Sequence, residues 1–185
     1  MIRFFDIFFS ILIIIIFLPC LVLIAFLVRF IDGKPIIYKQ ERVGYMGRKI
    51  IILKFRTMSN KPLKNENLRL TKLGKILRKT SLDELPQFIN VLKKDMSIVG
   101  PRPLPKKIEK KINRFKRIKR RKVLPGITGM SQINFNGKYR KLSEKTYLDL
   151  QYIDSYNLYN YFKILIKTPI VIFIRFFRNS SSIIK

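Results

Sequence analysis

The sequence predicts an α+β protein, mostly helical with one small β-hairpin, attached to a membrane by its N-terminal segment. Three observations predict it. Residues Ile7 to Val28 form an apolar run without a single charge. Ile36 to Arg42 and Lys49 to Phe55 read as two short strands, with Gly44 and Gly47 marking the turn between them. Helical patterns, basic and in part apolar, occupy much of the remainder.

The apolar run comes first. Its 22 residues, if helical, reach roughly 33 Å, enough to cross a hydrocarbon core. A cleaved signal peptide has a shorter run and a small-residue cleavage site, whereas Arg29-Phe30-Ile31-Asp32 follows here. Pro19 sits mid-segment, where proline removes a helical hydrogen bond and clashes with the preceding turn. Each half would be roughly 15–18 Å long. Two shapes are therefore open: a kinked spanning helix, or a segment that dips to the midplane and returns. Basic residues on both flanks (Arg3 before; Arg29, Lys34, Lys39 and Arg42 after) leave the side of the N-terminus undecided and place the C-terminal domain in the cytoplasm. Gly33-Lys34-Pro35 reads as the boundary between an anchor, 1–34, and a cytoplasmic domain, 35–185.

After the hairpin, Asn60 to Leu70 is polar and loop-like, and Leu73 to Arg78 and Leu82 to Leu92 read as helices. Gly100-Pro101-Arg102-Pro103 is a rigid non-helical turn. From Arg102 to Lys122, twelve of 21 residues are basic, and Ile108, Ile112, Phe115 and Ile118 recur at helical spacing, which predicts an amphipathic basic helix. Its charge suits a solvated face or an anionic lipid surface. Nucleic acid ranks third, because the run has one aromatic and no stacking series. Tyr161 to Phe177, apolar with scattered Lys and Arg, suits a helix lying in the membrane interface, a core helix being the alternative.

Composition narrows the chemistry. Hydrophobic residues make up 48% of 185, enough for one core plus an appendage. Lys and Arg number 39 against 11 Asp and Glu, so something anionic must sit beside the chain. The single Cys20 excludes an internal disulfide. Histidine is absent, which removes the commonest general base and metal ligand and the Ser-His and Cys-His nucleophile pairs. Any catalysis must then rest on carboxylates, Lys, Arg, Tyr or hydroxyls.

Most carboxylates have simple roles. Asp32 lies beside a turn glycine, and Asp6, one turn after Arg3, is placed to neutralise it at the membrane edge. Glu41, Glu66, Glu109, Glu144, Asp149 and Asp154 stand among Lys and Arg on polar faces. Asp83 and Glu84 differ, being adjacent in TSLDELPQ and near Lys75, Arg78 and Lys79. Ser81 to Glu84 fits a capping box, S-x-x-E, at a helix start, which leaves Asp83 no task beyond favouring the helix dipole. Alternatively, two carboxylates under basic residues suit a divalent metal and a nucleophile.

The stretches RFFDIFFS, YKQERVGYMGRKIIILKFRTM, LGKILRKTSLDELPQFINVLKKDMSIVGPRP, VLPGITGMSQIN and KTYLDLQYIDSYNLYNYFKILIKTP, taken in order, resemble the bacterial sugar transferases, the monotopic phosphoglycosyl transferases. The likeness covers nearly the whole chain. It implies transfer of a sugar 1-phosphate from a UDP-sugar to polyprenyl phosphate, with UMP released, as the first step of surface-glycan synthesis. It implies Asp83 as nucleophile, Glu84 as the Mg²⁺ holder, and Lys54 of KFRTM as their partner. Arg78, Arg102 and Arg56 become phosphate-side residues. The implied place is the cytoplasmic face of the bacterial inner membrane, among membrane lipids, with later glycosyltransferases using the product and no nucleic acid bound. The resemblance also makes Pro19 the break of a re-entrant helix and the basic and C-terminal helices interfacial.

Physical chemistry supports that reading. A carboxylate with an ordinary pKa near 3.9 is ionised at pH 7 and needs no base to attack phosphorus. The difficulty is the repulsion between two anions, which Mg²⁺ and fixed cations offset. The chain departs from the family at Leu18, where a small residue is usual. It departs again after Gly129, where N-G-R is replaced by a stretch in which Lys138 or Arg140 takes the place of the arginine. The rival reading is a non-enzymatic polybasic membrane adaptor. It explains anchor and charge but not the ordered occurrence of Lys54, Asp83-Glu84 and Arg102.

Overall fold

The computed structural model describes residues 1–59, 69–134 and 141–177. Glu66, Lys138, Arg140 and nearly all of the polar stretch from Asn60 to Leu70 lie outside them.

The N-terminal run forms two helices, α1 (Ile2–Ile16) and α2 (Leu18–Leu27), followed by a wide turn, Val28–Asp32. The pair is bent by 61° at Phe17. Pro19 sits in the first turn of α2, where its missing amide would have had no helical partner anyway, so a new helix restarts around it. Among the described residues no single helix is long and apolar enough to cross a membrane; the bent pair together has the length and composition. Ile11, Ile15, Val22 and Leu23 point outward. Phe5, Phe9 and Ile13 pack on the main core, and Cys20 and Leu21 on a second cluster around Ile24, Val28, Phe55 and Leu77.

The hairpin pairs β1 (Ile37–Val43) with β2 (Lys49–Phe55), antiparallel, with Tyr38 opposite Lys54. A tight turn at Tyr45–Gly47 joins them, with Gly47 at φ 81°. A second, parallel pair, β3 (Ser97–Val99) with β4 (Gly126–Thr128), was not evident in the sequence, because three-residue strands carry no alternation to read. Ile50 and Ile52 of β2, Met96, Ile98 and Val99 around β3, and Tyr152, Tyr161 and Ile164 from the C-terminal helices build the main core.

Several expectations are corrected. Helix α3 spans Lys72–Thr80, but the segment expected as one helix from Leu82 to Leu92 is a 3₁₀ turn, Leu82–Glu84, then α4, Gln87–Leu92. Pro86 separates them, since its ring cannot continue the preceding turn. The capping box does not form. Ser81 is left-handed (φ 59°), ends α3, and makes no side-chain cap. The basic helix is two pieces, α5 (Lys106–Glu109) and α6 (Arg114–Arg120), because Asn113 accepts the amide of Phe115 and starts a new helix. Its apolar residues do not share one face, since Ile112 is buried and Phe115 is 81% exposed.

Helix α7 spans Met130–Ile133, α8 Leu142–Asp154 and α9 Leu158–Phe177. The first turns of α9 are core, through Tyr161 and Ile164, whereas Ile166, Ile170, Phe173 and Ile174 are exposed. Glu109 and Asp149 are buried rather than on polar faces, each paired with an arginine, Arg121 and Arg120. Asp6 does more than meet Arg3 at 3.9 Å. Its buried carboxylate accepts the Ser97 hydroxyl at 2.9 Å, the Ile98 amide at 2.8 Å and the Tyr161 hydroxyl at 2.9 Å, tying α1 to β3 and α9.

Candidate active site

A cleft of about 1620 Å³ opens between the hairpin, the Leu82–Glu84 turn and α9. Asp83, Glu84, Lys54, Arg78 and Arg102 line one part of it, and Phe9, Ile13, Phe17, Ile172 and Phe173 another. One wall is therefore charged and the other apolar, the latter built from α1, Phe17 at the helix break, and α9. Among the described lining residues nine are Lys or Arg and three are acids, so the cleft suits an anion.

The turn after α3 aims the two carboxylates. Thr71 caps α3 by accepting the Gly74 amide at 2.9 Å and donates to Asp32 at 3.0 Å. A Cβ at Gly74 would lie 2.1 Å from the Thr57 carbonyl oxygen, so only glycine lets α3 lie this close to the end of β2. From there the Arg78 Nε donates to the Thr57 hydroxyl at 2.9 Å. The left-handed Ser81 then reverses the chain into the dyad.

Glu84 is held by two cations on one oxygen. Lys54 Nζ lies 2.5 Å and an Arg102 Nη2 2.8 Å from its Oε1. Burial alone would raise the Glu84 pKa, but the charges and hydrogen bonds of Arg102 and Lys54 overcome it and bring it to about 2. Asp83, 6% exposed, behaves oppositely. Burial and then the charge of Glu84 push its pKa up to about 6, against the pull of Lys54, Arg78 and Arg102. The expectation of an ordinary carboxylate at Asp83 is thereby corrected. The two acids differ because, among the described residues, only Glu84 has hydrogen-bonded cations. Asp83 accepts no hydrogen bond among the described residues, which leaves its oxygens available for attack.

Two supports were invisible in the sequence. Asn90, buried on α4, accepts the Leu53 amide at 3.0 Å and donates to the Ile51 carbonyl at 2.8 Å, so it clamps β2 where Lys54 leaves the strand. Asp149 on α8 holds Arg120 at 2.9 Å, and Arg120 in turn donates to the Arg102 carbonyl at 2.9 Å. Arg56 also lines the cleft, 4% exposed, but its guanidinium donates to the Lys34 carbonyl, with Nε and Nη2 unpaired among the described residues. Lys138 and Arg140 lie outside the described residues, and Pro19 belongs to the helix break rather than the cleft lining.

A divalent ion has few protein donors here. No group of three or more His, Cys, Asp or Glu side chains gathers among the described residues. Both cations use Oε1 of Glu84, so Oε2 and the neighbouring Asp83 are the protein oxygens available. That sparse set fits Mg²⁺, which typically takes one or two carboxylates and fills its shell with water and substrate phosphate oxygens.

The family described as bacterial sugar transferase matches residues 1–175. An uncharacterized sugar transferase, EpsL, of Bacillus subtilis is 43% identical over 152 residues, 76% of this chain and 71% of that protein. The UDP-glucose:undecaprenyl-phosphate glucose-1-phosphate transferase of Escherichia coli is 39% identical, over 88% of this chain but 38% of its own length. The undecaprenyl-phosphate galactose phosphotransferase of Salmonella typhimurium is 36% identical, over 92% of this chain and 40% of that protein. The chain thus spans well under half the length of the last two relatives. By family match and by identity to several relatives, this chain belongs to the bacterial sugar transferase family.

Proposed function

We propose that the chain transfers a sugar 1-phosphate from a UDP-sugar to undecaprenyl phosphate, releasing UMP and leaving a polyprenyl-diphosphate-sugar. The observation that carries this is the placing of Asp83, buried and without a hydrogen-bond donor among the described residues, beside a Glu84 held by Lys54 and Arg102, in a cleft with one charged and one apolar wall. The reactions for which the Escherichia coli and Salmonella relatives are named support the same reading.

In the proposed mechanism an ionised Asp83 oxygen attacks the sugar-bearing phosphorus, and the bond from that phosphorus to the UMP oxygen breaks. UMP leaves with the electron pair, and an aspartyl-phosphosugar remains. An oxygen of undecaprenyl phosphate then attacks the same phosphorus, and the bond to Asp83 breaks, restoring the carboxylate. Neither nucleophile needs a base, which suits a chain without histidine. Lys54, Arg78 and Arg102 offset the negative charge that both steps gather. Glu84 would hold Mg²⁺, which when bound neutralises phosphate charge and orients the diphosphate.

The apolar wall suits the lipid. The 61° bend at Phe17 and the outward apolar residues of α1 and α2 support a re-entrant anchor that returns to the cytoplasmic face of the inner membrane. The exposed apolar side of α9 supports an interfacial helix.

Release of UMP by the detergent-solubilised chain, given a panel of UDP-sugars, undecaprenyl phosphate and Mg²⁺, tests the reaction. Asp83→Asn should abolish it, and incubation with a labelled UDP-sugar alone should leave label on wild-type protein. Wild-type turnover in Asp83→Asn would remove Asp83 from the role. A tag at Met1 reachable only from the periplasmic side would remove the re-entrant shape.

A further inference from the structure

Two further arginines also line the cleft: Arg42 on β1 and Arg175 in the last turn of α9. Separate connections bring each toward the segment that carries Arg102. On β1, Tyr38, Gln40 and Arg42 alternate onto one sheet face, and on that face Tyr38 stands opposite Lys54. The end of β1 is fastened just past Arg102, because the Val43 amide donates to the Leu104 carbonyl at 3.0 Å. Arg175 donates to the Gln132 carbonyl at 2.5 Å, and Gln132 in turn donates to the Ile127 carbonyl of β4. A hydroxyl pair, Thr128 and Thr168 at 2.8 Å, fixes the middle of α9 to the same strand. Since β4 is bonded to Gly100 and Pro101, Arg175 and Arg102 stand on one scaffold.

Arg42 has no carboxylate within salt-bridge distance among the described residues. Its Nη2 donates to the Gln40 Oε1, and its buried Nε has no partner among the described residues. Burial and then repulsion by Arg102 lower the pKa of both Arg42 and Arg175. Lysines and arginines that outnumber the carboxylates of the cleft nine to three, and repel one another, are stabilised when an anion enters.

We propose that Arg42 and Arg175 form, with Arg102, a phosphate subsite beside the dyad that takes the diphosphate of a nucleoside diphosphate. The inference rests on the phosphate-transfer reading above and adds two residues to it, one from each wall of the cleft. In-line chemistry makes the acceptor phosphate attack from the side that the leaving phosphate vacated. The same arginines therefore serve both half-reactions, and α9 is a working wall of the site as well as an interfacial helix.

Isothermal titration of inorganic diphosphate, UMP and uridine into the full chain in detergent with Mg²⁺ tests the subsite without relying on turnover. Arg42→Gln and Arg175→Gln should each weaken diphosphate and UMP by about tenfold or more, since hydrogen bonds to charged groups are strong, and leave uridine unchanged. Arg42→Lys and Arg175→Lys, which keep the charge and lose the fork, should fall between. Lys49→Gln, removing an equal charge from an exposed pair with Glu41, should leave all three probes as in wild type. Diphosphate affinity within about twofold of wild type in both glutamine variants would overturn the subsite. So would equal losses for uridine and UMP, or an equal loss in Lys49→Gln. Arginine-dependent diphosphate binding without UMP release would keep the subsite and remove the reaction. UMP release with unaltered diphosphate binding would do the reverse.

Discussion

The Lys54 ammonium lies 2.5 Å from the Glu84 Oε1, joining the end of the hairpin's second strand to the 3₁₀ turn that carries the dyad. Removing that cation leaves Glu84 to Arg102 alone and lowers the positive charge facing Asp83. Lys54→Met should reduce kcat by about 10²–10³-fold, the scale of losing one preorganised electrostatic contact. UMP-release kinetics with protein yield and Tm as controls would check it.

Activity should follow the ionisation of Asp83. With its pKa near 6 in the free protein, roughly a tenth of molecules carry the charge at pH 5. The kcat/KM profile should fall by about tenfold per pH unit below that pKa and level off above pH 7.

Stability should respond to the dyad with opposite signs. Asp83 is raised from 3.8, so its contribution is full below pH 3.8 and is lost as pH rises through about 6. Glu84 is depressed from 4.5, so its contribution is present above pH 4.5 and is lost as pH falls toward about 2. In metal-free buffer, Asp83→Asn should therefore gain Tm relative to wild type at pH 8, and that gain should shrink toward pH 4. Thermal melts at the two pH values give the sign directly.

Asn90→Ala should cost about 2–4 kcal/mol, because the Leu53 amide and the Ile51 carbonyl lose a buried partner. For a chain of this size that corresponds to a Tm fall of roughly 5–15 °C. Lys54 should be displaced as well, so kcat measured well below the lowered Tm should fall too.

Gly126→Ala should prevent stable folding. Its Cβ would lie 2.0 Å from the Gly100 nitrogen and 2.4 Å from the Thr128 carbonyl oxygen, both backbone atoms that cannot swing away. Yield of monodisperse protein after detergent extraction would show it.

Local pattern carried much of the architecture. The hairpin register region, the helix at Lys72–Thr80, the long C-terminal helix and the break near Pro19 were all readable, because each depends on neighbours within a few residues. The ordered motifs identified the family through resemblance, and the family match over residues 1–175 agrees. The basic helix was misread because helical spacing does not show that Asn113 caps a new start. Glu109 and Asp149 were misread, and the further partners of Asp6 beyond Arg3 were missed, because burial and partnership come from distant chain segments.

What a linear pattern encodes here is local: apolar length, turn residues, net charge and the adjacency of Asp83 and Glu84. Which of the two acids becomes the strong anion and which the weaker one is a matter of tertiary placement. Lys54 arrives from 30 positions upstream and Arg102 from 18 downstream, and both choose Glu84. Asp83 is left buried beside that charge, so desolvation and like-charge repulsion outweigh the cations and raise its pKa. Two adjacent acids are thus driven in opposite directions, Asp83 up to about 6 and Glu84 down to about 2, by burial and the three-dimensional placing of charge.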